Sequence, residues 1–308
     1  MSQENIIENS SEETNKPFFN EESLERLRKS GIYLMTPCYG GNCTSGFTES
    51  VVSLAMICAI NRIPFSNYFI NNESLIPRAR NYCVYSFLNE EIRVSDEETF
   101  KFQTGVFIDS DIYFNPYEIL HMAILQTESS SNYDVLCGFY PKKTINWDRI
   151  ITFIRDNREK EIDPKELCNM AGDFILHPLE SECVLGKPVK LDKAGTGLMM
   201  VQRSVFERLD STYDLKYYPD HSDTQFQTER IISAYFNCII DQDKRFLSED
   251  YYFCDLCKKA GIDIWGLVYV NAVHIGNYSF SGDLIEQLIH RAKLEKSEGK
   301  DEVQSKNT

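Results

Sequence analysis

The chain is short of positive charge, of histidine and of long apolar runs. Its 308 residues carry 32 Lys and Arg against 47 Asp and Glu, a formal net charge of -15. Such a surface repels a nucleic-acid duplex and an anionic bilayer. Both are excluded as principal partners, while a local basic patch remains possible. No uninterrupted apolar run reaches the roughly 20 residues of a membrane-spanning helix. Met1–Glu13 is acidic and polar where a secretory leader needs an apolar stretch, so a cytoplasmic location is expected. The 10 cysteines are then expected to be reduced, mostly buried thiols. Cys254-x-x-Cys257 has no second pair to complete a zinc site and reads as packing. Neither GxGxxG nor GxxxxGK followed by Ser or Thr occurs, which removes the dinucleotide fingerprint and the P-loop. No repeat of fixed period is present. With 5 histidines in the chain, the context of each one counts.

What is present is enough apolar material, 42% of residues, for one large core. Short apolar runs alternate with amphipathic stretches, which predicts an α/β fold. Asn20 caps a short helix that Gly31 ends. Strands are expected at Ile32–Thr36, Phe65–Ile70, Gly105–Ile108, Asp134–Gly138, Val184–Leu191, Leu198–Val201, Ala234–Ile240, Ile262–Trp265 and Leu267–Val270. Helices are expected after Ser45, from Ser74, over Pro116–Gln126, over Trp147–Asp156, over Val205–Leu209 with Ser204 as cap, and from Ser248 to Gly261. Residues 1–20 read as a disordered acidic segment, 21–291 as one domain and 292–308 as a charged flexible tail that begins as helix. Asn157–Pro178 is charged and irregular, an insertion or lid.

The stretch Gly105–Pro116 organises the rest. A buried strand breaks into Asp109-Ser110-Asp111, and Asn115, Pro116 and Glu118 then start a helix. Unpaired carboxylates are costly in a core, so this pair either reaches water as an ordinary turn or holds a cation. Pro37–Ser45 is a Gly-rich turn after the first strand, either a plain βα loop or a nucleotide-facing one. Arg78 and Arg80 open a helix, where cations oppose the helix dipole. They sit there either for a phosphate or carboxylate between them or as surface ion pairs. Gly195-Thr196-Gly197 marks a bulge or a close approach of backbone to a ligand. Glu249 and Asp250 complement the dipole of their helix or offer a general base. His274 follows a strand and precedes a glycine-rich loop. Two carboxylates and an imidazole suit Mn²⁺ or a similar divalent ion such as Mg²⁺, with remaining positions for diphosphate oxygens.

Taken in order, Thr36-Pro37 with Tyr39-Gly40, SLIPRARN, FIDSDI, GTGLMMVQRSVFERL, LSEDYYFC and HIGNYSFSGD resemble a metal-dependent glycosyltransferase of the GT-A fold. The likeness is strongest to the compact enzymes of phages, large DNA viruses and bacteria, and it runs from about Ile32 to Asp283. It implies a Rossmann-like mixed sheet flanked by helices in a single domain. It further implies a D-x-D of Asp109 and Asp111, Asp111 the more direct metal ligand and His274 the third. Thr36, Pro37 and Tyr39 would line the base and ribose, and Arg78 the nucleotide or its diphosphate, with Arg80 supporting Asp109. Gly195, Thr196 and Gly197 would flank the donor sugar, and Glu249 or Asp250 would face the acceptor. The implied partners are a UDP- or GDP-sugar donor and a glycan or other hydroxyl acceptor. Two rivals remain: a GT-A-like module that binds nucleotide or glycan without catalysis, and a sugar nucleotidyltransferase, for which the expected phosphate loop is missing.

Overall fold

The apolar runs lie side by side in one sheet. In the computed structural model, residues 19–93, 99–128, 132–179, 186–219 and 230–305 are described, with side chains up to residue 294. The sheet comprises β1 (Ile32–Cys38), β2 (Phe65–Asn71), β3 (Thr104–Ile108), β4 (Val135–Phe139), β5 (His177–Pro178), β6 (Val189–Lys193), β7 (Leu198–Gln202) and β8 (Ile264–Asn271). Their order is β5-β6-β8-β4-β7-β3-β1-β2. β2, β1 and β3 are parallel, β8 is parallel to β4, and β7 runs antiparallel between β3 and β4. β1, β3 and β4 therefore end at one edge of the sheet, and β7 begins there, with Leu198 opposite Ile108.

Alternation along the strands divides the core between two faces. On one face Tyr33, Met35, Phe107 and Val201 pack with residues of α3 (Ile76–Asn89), α7 (Arg203–Thr212) and α8 (Glu249–Lys259). On the other, Leu34, Val106, Leu136 and Met200 pack with α2 (Ser45–Ile60) and α4 (Pro116–Gln126). β3 and β4 are buried throughout, as expected of central strands covered on both faces. Burying one side chain such as Phe253 fully is worth about 1.5–3 kcal/mol. The described cysteines are free thiols, and Cys254 and Cys257 pack in the first core. No described helix is long and apolar enough to cross a membrane.

Several expected boundaries move, each for a physical reason. β1 continues through Pro37 because its pairing with β3 stops at Met35, so the missing Pro37 N–H removes no bond on that side. The two strands expected around Gly266 are one, since Gly266 pairs with both Cys137 and Val189. Ser204 is no cap: α7 starts at Arg203, with Gln202 at the N-cap position. Of the strand expected over Ala234–Ile240 only Ile239–Ile240 forms, and a separate two-residue ladder precedes it at Ile232–Ser233. Between them the Asn81 side chain pairs with the amide and carbonyl of Phe236, each at 2.9 Å, and replaces a strand partner.

Asn157–Pro178 is not irregular. It holds α6 (Pro164–Ala171), packed between α5 (Trp147–Asp156) and α9 (Leu284–Ser305). A strand at Gly172–Phe174 then pairs with Pro141–Ile145, and β5 joins the main sheet. Asp163 caps α6 and Pro164 opens it, a start signal that the surrounding charge concealed. α9 carries helix beyond Arg291, where the charged tail is expected to begin as helix, and runs to Ser305. The acidic segment expected to be disordered lies outside the described residues up to position 18, as do Val184 and Leu185 of the expected strand at Val184–Leu191.

Candidate functional site

The acidic turn leaves β3 at the shared strand edge. Asp109 N–H donates to the Gly197 carbonyl at 3.0 Å, Ile112 N–H closes back on the Asp109 carbonyl at 3.0 Å, and Thr44 N–H holds the Ser110 carbonyl at 2.9 Å. The turn is thus fixed by β7 on one side and the loop after β1 on the other. A small second sheet then brings in the far end of the chain. Ile112–Tyr113 pairs with Val273–Ile275, so His274 lies opposite Ile112, and Ile275 N–H donates to the Asp111 carbonyl at 2.8 Å.

This register sets His274 against Asp111. Its Nε2 lies 3.4 Å from Asp111 Oδ1, and its Nδ1 lies 3.0 Å from the Pro141 carbonyl oxygen. A carbonyl only accepts, so Nδ1 carries the hydrogen, and Nε2 meets the carboxylate as an N–H donor when the ring is charged and as a lone pair when it is neutral. Two lone-pair donors facing each other need a proton or a cation between them. A backbone acceptor behind the second ring nitrogen is also how metal-ligating histidines are oriented. The other Asp111 oxygen is taken by Lys143, whose Nζ is 2.5 Å from Oδ2. Burial would raise the Asp111 carboxyl, but the hydrogen bonds to His274 and Lys143 hold it below the usual carboxylate range.

Asp109 does not join that pair. Its Oδ1 receives the buried Arg80, with Nη2 at 3.2 Å. Arg80 also lies with Nε 3.5 Å from Glu249 Oε1, donates from Nη1 to the Thr196 carbonyl at 3.5 Å, and stacks over Phe107. Burial alone would lower the guanidinium pKa; Asp109 and Glu249 raise it instead. Among the described residues, no group of three or more His, Cys, Asp or Glu side chains converges as a ready metal site. The structure brings together Asp111 with His274, and Asp109 with Arg80 and Glu249. Arg78 points elsewhere, as a spacing of two requires, and pairs with Glu73 through Nε at 2.7 Å and Nη2 at 2.9 Å.

The glycines at the start of β7 make room for a side chain. Gly197 N–H donates to the Tyr140 hydroxyl at 3.0 Å, and a Cβ on Gly195 would lie 2.7 Å from that oxygen. Tyr140 leaves the end of β4, packs edge-on against the His274 ring, and is held protonated by burial and then by nearby Asp109. Close approach is thus the reason for the glycine pair, and its partner is Tyr140. Thr196 is buried, and its hydroxyl has no hydrogen-bond partner.

Helix α8 starts against the same strand edge. Ser248 is its N-cap by position, but the hydroxyl donates to Asp250 Oδ1 and makes no cap. Tyr251 N–H takes the same oxygen at 2.8 Å. The other oxygen, Oδ2, lies 3.8 Å from where a Cβ of Gly195 would stand. Glu249 is committed to Arg80.

Thr36 sits one residue past the last β1–β3 pair, Met35 with Phe107, and its buried hydroxyl has no partner. Pro37 is half-buried, and Tyr39 on the following turn is 74% exposed. A cavity of about 350 Å³ opens beside the Asp111–His274 pair, with Phe139, Tyr140, Lys143, Ala194, Gly195 and His274 in its walls. Sequence reasoning missed Tyr140 and Lys143. The signal available for them was the run Tyr140-Pro141-Lys142-Lys143 leaving a buried strand at the edge that also carries the acidic turn.

No family model matches the chain, and no curated protein matches it in sequence. Among solved structures it is similar to A197 from STIV, at 15% identity and a TM-score of 0.44, over 82% of this chain and 91% of that one. A likeness of that size carries nothing about the site, so the functional reading rests on the side chains.

Proposed function

We propose that the chain is a divalent-cation-dependent glycosyltransferase of the GT-A type, moving a sugar from a UDP- or GDP-sugar to a hydroxyl acceptor. The observation that carries this reading is the Asp111–His274 pair, with the imidazole hydrogen committed to Pro141 and the second nitrogen turned to the carboxylate. That donor set, one oxygen and one nitrogen with open positions around them, fits Mn²⁺ or Mg²⁺. Asp111 and His274 would hold the ion, with Asp109 beside them. When bound, it would neutralise charge on the leaving diphosphate as a Lewis acid.

The chain's own groups take the other roles. Arg80 holds Asp109 and Glu249 in fixed positions, and Tyr140 sets the start of β7 where the donor sugar would lie. Pro37 at the end of β1 and the exposed ring of Tyr39 would form a surface for the base and ribose, while Thr36 is itself buried. Arg78 reaches a nucleotide only while sharing its guanidinium with Glu73. Asp250 is the better candidate base of the acidic pair, because Oδ1 is anchored and Oδ2 faces Gly195. In a single displacement the acceptor oxygen bonds to the anomeric carbon as the bond to the diphosphate breaks, and the acceptor proton passes to Oδ2.

One observation favours a rival. Lys143 already neutralises Asp111, as it would in a nucleotide-binding module that needs no cation. A thermal-shift screen of UDP- and GDP-sugars with and without Mn²⁺ separates the two. A ligand at 100 times its Kd adds about 2.7 kcal/mol to the native state. A transferase of this kind melts higher only with ion and donor together, and then hydrolyses the donor slowly. Stabilisation by nucleotide that is indifferent to Mn²⁺ sinks the proposal in favour of the module.

A further inference from the structure

We infer that Lys143 is a built-in competitor of the divalent cation for Asp111, and that once displaced it places its charge on the donor diphosphate. The inference rests on the transferase reading above and assigns Lys143 a role in it.

Four features carry it. The ammonium sits on the Asp111 oxygen that His274 does not face, at 2.5 Å. An ion between Nε2 and Oδ1 would therefore share one carboxylate with the ammonium on Oδ2, and the two cations compete for its charge. The lysine stem is guided there: a Cβ on Gly276 would stand 3.3 Å from Lys143 Cδ and 3.6 Å from Cε, so the missing side chain leaves it a lane. The neighbouring Lys142 lines the same cavity but pairs with Asp173 at 3.1 Å, which leaves Lys143 as the member of the pair that reaches the acidic turn. Finally, the Lys143 side chain is 42% exposed and lines the 350 Å³ cavity, so the ammonium has space to move into.

The energetics suit an exchange. A partly exposed Lys–Asp pair is worth only about 0.2–1 kcal/mol, weak enough for a divalent ion to replace. Lysine is a compact charge on a flexible stem, able to follow a phosphate that arrives with the ion. In a chain of net charge -15, a cation that guards the site when it is empty and meets the anion when it fills serves both states.

The test is a pair of titrations on the full chain: Mn²⁺ alone, followed by electron paramagnetic resonance of the free ion, then UDP (and GDP in parallel) at saturating Mn²⁺. Lys143→Met is expected to bind Mn²⁺ about 1.5- to fivefold more tightly and the nucleoside diphosphate about tenfold more weakly. Lys143→Arg, melting like wild type, is expected to recover most of the nucleotide affinity, and Lys142→Met to leave both affinities unchanged. Opposite signs in the two titrations are what a merely structural lysine would not give. Mn²⁺ affinity that is equal or weaker in Lys143→Met, or unchanged nucleotide affinity, overturns the inference and leaves the transferase reading standing. Absence of Mn²⁺ binding by both wild type and Lys143→Met overturns the two together.

Discussion

Gly197 and Tyr140 are locked together: the amide of one donates to the hydroxyl of the other at 3.0 Å, and a Cβ on Gly197 would stand 2.5 Å from that oxygen. The same Cβ would meet Tyr140 Cζ at 2.6 Å and Asp109 Oδ2 at 2.9 Å. Gly197→Ala must therefore push the ring or the carboxylate out of place. The expected cost is about 1–3 kcal/mol, the usual range for overpacking, with loss of nucleotide binding. A Gly197→Ala variant that melts and binds like wild type would show that this packing does not matter.

Arg80 is the hub between the acidic turn and α8, 5% exposed and shared by Asp109 and Glu249. Arg80→Met leaves two carboxylates without their counter-charge in a largely buried place. Breaking such an arrangement from one side costs about 3–5 kcal/mol, read from urea unfolding at neutral pH. The triple variant Arg80→Met, Asp109→Asn, Glu249→Gln is expected to regain much of that stability. A loss under about 1 kcal/mol in Arg80→Met would place the interaction among ordinary surface pairs.

Much of this arrangement is legible in the chain, and the exceptions share a cause. β3, β4 and α8 stand out because a buried strand needs an unbroken apolar run, and a helix with acids at its start and Gly261 at its end announces both limits. The Asp109–Asp111 turn stands out because two acids following such a run demand an explanation. Lys143 and Tyr140 do not stand out, since their meaning comes from β4 lying two places from β3 in the sheet. The pairing of Phe236 with Asn81 is hidden for the same reason, being a contact across 155 positions. Asp109, Asp111 and His274 read in the sequence as ligands of a single ion, on residue type and on family resemblance alike. The side chains as placed join only the last two.

Glu118 gives a stability effect that depends on pH. Burial pushes its carboxyl up to about 7, and Oε2 has no hydrogen-bond partner. The folded chain then holds this proton more tightly than the unfolded one, whose group titrates near 4.5. Stability from Glu118 is therefore full below about pH 4.5, declines as pH rises toward 7, and is level above that. Glu118→Gln removes the decline: its stability relative to wild type grows between pH 4.5 and 7.5, as read from urea midpoints at several pH values. A difference that stays flat across that range contradicts the placement of the group.

Asp250 and Glu249 should separate by kinetics. With Oδ1 anchored and Oδ2 facing Gly195, Asp250→Asn is expected to lower kcat by about 10²–10⁴ while the donor KM changes little. Glu249→Gln is expected to act through Arg80, lowering stability more than kcat. The reverse pattern would exchange their roles.

The most direct test of the central claim is calorimetric titration of UDP and GDP into wild type and Asp111→Asn, each with Mn²⁺ and with chelator. If Asp111 and His274 hold an ion that carries a nucleoside diphosphate, wild type binds only with Mn²⁺, and Asp111→Asn, still folded, loses about a hundredfold in affinity or more. Equal binding by the two proteins, or binding undiminished by chelator, would contradict it.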